Sequence, residues 1–144
     1  MIFKDKDHRS FWIDCINKSM RNNIEIDSRI ISFFYVLGLS KILINHINDI
    51  FDWNRKSIIT SVMKKKWLSS DDLNKMRIAF YFYCDWCYES DVDASIGFQS
   101  ENYSLNSFFA EGMTIFLQEA LRLRYQLEDP MINRMILKQF FSEE

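Results

Sequence analysis

Three glycines and one proline in 144 residues leave this chain few ways to turn sharply. A many-stranded β protein needs a turn residue about every 8–12 positions, and this sequence does not supply them. What remains is helices joined by short polar turns. Residues 1–144 suffice for a single domain with its own core. No repeat, low-complexity tract or Pro/Gly/Ser linker divides them. Aromatic residues reach 16%, so that core should be rich in rings. The expected fold is all-α: a single domain of about six to seven helices packed around a central aromatic-rich helix.

The helices are punctuated by caps and polar turns. Phe11, Trp12, Cys15, Ile16 and Met20 share one face of a helix predicted from Asp7 to Met20, which Asn22-Asn23 ends. Asp27 or Ser28 caps a strongly apolar helix from Arg29 to Leu37, closed by Gly38. Ser40 caps the next, with Ile42, Leu43, Ile47, Ile50 and Phe51 turned inward. Asp52-Trp-Asn-Arg-Lys56 reads as a turn. Ile58, Ile59, Val62 and Met63 predict a short amphipathic helix, with Lys64-Lys65-Lys66 at its C-terminal end where the dipole favours cations. Ser69-Ser70-Asp71-Asp72 starts a helix from Leu73 to Tyr88. Glu89 to Asn102 is the longest irregular stretch, and Ser104 to Phe109 a short helical turn. A helix from Glu111 to Gln126 includes Ile115, Phe116, Glu119, Leu123 and Tyr125. Asp129-Pro130 opens the last one, with Met131, Ile132, Met135, Ile136 and Phe140 inward.

The run from Arg77 to Tyr88 carries six aromatic residues and two of the three cysteines. Placed on a helix, Leu73, Met76, Phe80, Cys84 and Cys87 share one face. Ile78, Phe82 and Trp86 cover much of the rest, and Asn74, Lys75, Asp85 and Glu89 hold a broken polar sector. A helix apolar around most of its circumference belongs at the centre of others. Arg77 lies on its apolar side. Its guanidinium snorkels, stacks on a ring or pairs with a buried carboxylate; facing a pocket, it would bind an anion.

Motifs that suggest chemistry fail in detail. Cys84-Asp-Trp-Cys87 has redox spacing, but thiol activation needs a helix N-terminus, and this pair lies well inside a predicted helix. Two buried small apolar residues are the better reading. A zinc site needs a second ligand pair, whereas Cys15, His8 and His46 stand far apart. Asp91-Val-Asp93-Ala-Ser95-Ile-Gly97 starts like a calcium loop, but Ile96 and Asn102 occupy the glycine and glutamate positions. The same residues resemble the D-x-D of phosphoryl-transfer enzymes, without the apolar strand that should precede it. Ile59 to Ile78 has helix–turn–helix proportions, yet Asp71-Asp72 would face the phosphates. The net charge of −2 is no footprint for nucleic acid. No catalytic, cofactor-binding or metal-ligating constellation is assigned. Arg77, His46, Asp49 and Asp52 are the first candidates for a ligand or anion site assembled from distant helices. Arg122 and Arg124 are expected on the surface.

Several short motifs also carry a family likeness. Phe3-Lys-Asp-Lys-Asp-His8 followed by Phe11, and His46-Ile-Asn-Asp-Ile-Phe-Asp52, are two of them. Trp67, the capped helix with Arg77-Ile-Ala-Phe80 and Tyr83, and Glu119-Ala-Leu-Arg-Leu-Arg-Tyr125 are the others. In these the chain resembles an uncharacterised family of small helical proteins from Firmicutes and their phages, a domain of unknown function. The likeness covers most of the chain and ends at Asp129. It implies a helical domain in a phage or prophage setting and transfers no functional residues.

The functional expectation is a non-enzymatic protein-interaction module, an inhibitor or accessory factor of a host system. An aromatic surplus beyond what a small core hides would supply the interface, either to an unidentified protein or to a second copy in a homodimer. The alternative is a small enzyme or anion-binding helical domain. With no apolar signal segment, no run of about 18–20 apolar residues and three cysteines that cannot all pair, a cytoplasmic protein without membrane contact is expected.

Overall fold

The computed structural model describes residues 1–85, 113–125 and 138. Among them are six α-helices, one 3-10 turn and a two-stranded hairpin. The order is α1 (Lys6–Arg21), α2 (Ser28–Leu37), α3 (Lys41–Asn45), α4 (Ile47–Ile50), β1 (Phe51–Asp52), β2 (Ser57–Ile58), the 3-10 turn (Thr60–Lys64), α5 (Ser70–Cys84) and α6 (Thr114–Tyr125). The fold is mostly helical, as the scarcity of turn residues requires. Trp86, Cys87, Tyr88, the Asp91–Gly97 loop, the Ser104–Phe109 turn and the helix after Asp129-Pro130 lie outside the described residues.

Local chemistry explains the helix starts. Asp5 Oδ1 accepts the His8 amide at 2.8 Å and caps α1. Asp27 Oδ1 accepts the amides of Arg29 and Ile30 at 3.0 and 3.2 Å and caps α2. Ser40 Oγ accepts the Leu43 amide at 3.3 Å, and Ser69 Oγ accepts the Asp72 amide at 3.1 Å. Ser40 also donates to Asp72 Oδ1 at 2.6 Å, so one carboxylate ties the start of α3 to the start of α5.

The helix expected after Ser40 breaks at His46 into α3 and α4, and Phe51 then turns extended. Ile42 is consequently exposed rather than inward. The polar turn is the bend of the hairpin, with Phe51 opposite Ile58 and Asp52 opposite Ser57. The helix expected over Ile58–Met63 is replaced by β2 and the 3-10 turn. β-branched Ile58 and Ile59 suit extended backbone, and Ile59 N–H donates to Ile50 O at 2.7 Å. Helix α5 stops at Cys84, short of the expected Tyr88, where Asp85 turns left-handed at φ 56°. Cys84 therefore sits exposed at a helix end, not buried in the core.

Helix α2 is the hub. Nine of its ten residues are buried, and α1, α5 and α6 all pack on it. The aromatic-rich central helix is therefore this one, with α5 laid against it. Phe33 makes the joint: its ring lies 4.9 Å from Phe34, 5.0 Å from Tyr83, 5.5 Å from Phe51 and 6.4 Å from Phe80. Such ring pairs contribute about 0.5–1.5 kcal/mol each beyond area burial.

A helix enclosed this way must satisfy its terminal carbonyls inside the protein. Phe34 O accepts from Gly38 N, Val36 O from Leu39 N and Leu37 O from Ser40 N. Tyr35 O receives His8 Nε2 at 2.7 Å, and one turn earlier Ile31 O receives Trp12 Nε1 at 3.0 Å. Two α1 side chains one turn apart are thus stitched to two α2 carbonyls one turn apart. Nδ1 of His8 accepts the Lys4 amide at 3.0 Å, so the imidazole is neutral with its proton on Nε2. Burial lowers its pKa from 6.5 to about 4. Gly38 lets α1 approach this closely: a Cβ there would lie 2.6 Å from His8 Cδ2 and 2.9 Å from Phe11 Cδ1. At φ −68° its backbone needs no glycine; the space does.

Two outcomes are expected. Gly38→Ala should destabilise the fold by about 1–3 kcal/mol through overpacking, read as a shift of the urea midpoint. Between pH 6.5 and pH 4 the unfolded chain binds a proton at His8 that the folded chain resists, so stability falls as pH falls through this window. The loss at pH 4 should be about 3 kcal/mol. His8→Gln should be less stable at pH 7 and should flatten that slope in urea titrations at the two pH values.

Candidate functional site

Of the four residues singled out from sequence, the structure joins two. His46 ends α3 and precedes α4, and Asp49 lies within α4, which puts the pair on one helical face. His46 Nδ1 stands 3.1 Å from Asp49 Oδ2. Across the other side of the ring lies Trp67, from the segment between the 3-10 turn and α5. The imidazole and indole stack at 3.8 Å between centroids and 7° between planes. His46 is therefore fixed by its backbone, a carboxylate and a ring, while about a third of its side chain stays in solvent (32% exposed). Among the described residues, its Nε2 makes no hydrogen bond. Lys64, Lys65 and Lys66, directly before Trp67, are all exposed beside this plate.

A second tryptophan packs against the core. Trp53 in the hairpin stacks on Phe34 at 5.4 Å and 11°, and its Nε1 donates to Asn48 Oδ1 at 3.3 Å. The Lys18 ammonium sits 4.7 Å from its ring centroid.

Asp52 serves its own turn, because Oδ1 accepts the amides of Asn54 and Arg55 at 3.0 Å each. Arg77 is 1% exposed, so its guanidinium lies within the core. Lys75, placed by sequence on a polar sector, is buried too. Arg124, expected on the surface, is buried with Nε donating to Phe82 O at 2.9 Å. Arg122 bonds Glu119. Burial pushes the Glu119 carboxyl up; the Arg122 guanidinium and the Ile2 amide outweigh this and hold it below the usual range. Among the described residues, no three of His, Cys, Asp and Glu gather in metal-ligand geometry.

Two cavities among the described residues lie elsewhere. One, of about 250 Å³, is lined by Asn23, Glu25, Arg29, Lys56, Tyr83 and Cys84 over a floor of Ile24 and Ile30. Asn23 and Lys56 are both left-handed, at φ 59° and 55°, and Lys56 Nζ donates to Asn23 O at 3.2 Å. Tyr83 donates to Lys56 O at 2.6 Å. The other, of about 410 Å³, runs between α1 and α3 past Asp7, Phe11, Asp14, Lys41 and Ile44. None of Arg77, His46, Asp49 and Asp52 lines either. The 250 Å³ cavity was missed from sequence. Its only signal is the polar Asn22-Asn23 and Arg55-Lys56 pairs, which read as ordinary turns. Trp67 was visible as a motif residue, but not as the partner of His46, because nothing local joins positions 46 and 67.

Together these features define a small helical domain with an aromatic core and a tethered histidine–tryptophan surface. No helix of the described residues is long and apolar enough to cross a membrane. The chain belongs to the Family of unknown function (DUF6075), whose sequence model matches residues 1–134. The match runs past Asp129, where the likeness read from short motifs stopped. No curated protein and no solved structure matches the chain.

The bond that closes the smaller cavity is open to test. Tyr83→Phe should cost about 1 kcal/mol, the net worth of one hydrogen bond. It should also raise amide exchange in the Asn54–Lys56 bend, measured by NMR hydrogen exchange.

Proposed function

We propose that this chain is a non-enzymatic protein-interaction module acting in the cytoplasm, an inhibitor or accessory factor of a host system carried by a phage or prophage. The observation behind this reading is the His46–Trp67 stack, with Asp49 on one edge and three exposed lysines beside it. Interface hot spots are rigid aromatic anchors inside a polar rim. Here the anchor is already ordered, so little side-chain entropy remains to be lost on docking. The lysines favour a partner with an acidic rim.

One observation favours a second reading, a small enzyme or anion-binding domain. Asp49 holds Nδ1 of His46 and leaves Nε2 open to a ligand, as donor or acceptor according to the tautomer.

Immobilised wild-type chain should retain one stoichiometric protein from extracts of the organism that carries it. Trp67→Ala, or glutamate at positions 64, 65 and 66, should reduce that protein at least tenfold while circular dichroism stays unchanged. Equal retention by the variants would remove the stack from the interface. Retention of a second, untagged copy of the chain alone would make the surface a homodimer contact. A small anion whose binding depends on His46 and not on Trp67 would favour the second reading.

A further inference from the structure

Residues 1–4 adopt neither helix nor strand, yet buried side chains from three helices read their backbone. Ile2 N–H donates to Glu119 Oε2 of α6 at 2.8 Å, and Ile2 C=O accepts the hydroxyl of Tyr35 in α2. Lys4 N–H donates to His8 Nδ1 of α1, and Lys4 Nζ donates to Leu39 O at 3.1 Å. Between them, the Phe3 ring lies 5.2 Å from His8, 5.8 Å from Trp12 and 6.1 Å from Tyr35.

The backbone groups that this segment buries are met by side chains and not by a neighbouring strand: a carboxylate takes one amide, a hydroxyl the next carbonyl and an imidazole a later amide. Glu119, Tyr35 and His8 are buried, and each spends a polar group on the backbone of this segment. Glu119, held ionised by Arg122, accepts only, and so selects an N–H. Backbone recognition along an extended strand, with pockets for particular side chains, is how peptide-binding grooves work. Here the pocket takes an aromatic ring, and a free carbonyl edge takes the cation that follows. Ile2 is 46% exposed, so the preceding position is not selected.

We propose that this groove is a peptide-binding site occupied in cis by residues 1–4. In trans it takes an extended peptide in which an aromatic residue is followed directly by lysine or arginine. The site uses neither His46 nor Trp67 and stands apart from the interaction surface proposed above. The resident segment competes at the high effective concentration of a short tether, so the groove opens to a partner only when that segment lifts.

The test uses the full chain, wild type and Phe3→Ala, with fluorescein-labelled Met-Ile-Phe-Lys-Asp-Lys read by anisotropy. Binding to Phe3→Ala should be at least tenfold tighter than to wild type, because the competing segment has lost its ring. The same peptide with alanine for phenylalanine should bind neither. Equal affinity for both chains, or indifference to the phenylalanine, overturns the proposal. Should Phe3→Ala fail to fold, amide exchange in the wild-type chain decides. The Lys4 amide should exchange at least tenfold faster than that of Ile31 in α2, because the segment opens on its own. Equal rates would make residues 1–4 part of the global core and overturn the proposal.

Discussion

The fold depends on one constraint: α2 is buried at every residue but Arg29, so little that is polar in it can rely on water. An unmet buried carbonyl or amide costs about 1–3 kcal/mol, and a helix end presents several. Asp27 takes the first amides, and Ser32 returns its hydroxyl to Ser28 O at 2.7 Å. At the far end, three carbonyls find backbone amides from Gly38, Leu39 and Ser40. The fourth, Tyr35 O, depends on a side chain from another helix. His8 therefore decides how α1 lies on α2, and the aromatic ring pairs then fill the joint.

That arrangement separates rigid parts from working surface. The first histidine is buried, neutral and spent on a carbonyl. The second stands at the α3–α4 junction, with a third of its side chain in solvent. The two imidazoles differ because of what each ring nitrogen meets. Cys15 and Cys84 divide in the same way: one thiol is buried and raised by desolvation, the other ends a helix in solvent.

Much of this was legible in the residues. Asp27, Ser40 and Ser69 announced their helices, because a cap is a local bond between a side chain and an amide two or three positions on. His46 and Asp49 stood out as candidate residues, though the bond between them came from the fold, and Arg77 was recognisably on an apolar face. What could not be read was anything set by long-range competition. The apolar run through Tyr83 and Trp86 pointed to a longer helix than the one Asp85 ends in left-handed backbone. The helix from Leu73 was expected at the centre, but α2 takes that place, and pattern alone does not say which of two strongly apolar helices is enclosed by the other. Arg124 looked like a surface cation until Phe82 O appeared above it. The Trp67 partner of His46 required the fold, because the 3-10 turn and the hairpin intervene.

The contact between Gly38 and the ring of His8 has a consequence for how such a chain changes over generations. Position 38 is confined to hydrogen as a side chain while positions 8 and 11 carry rings pressed against it. A smaller residue at position 8 would relieve part of that pressure but orphan a carbonyl. A larger residue at position 38 would displace the imidazole. Neither change is tolerable first, so sequences that keep this helix crossing must cross both positions together or leave both alone.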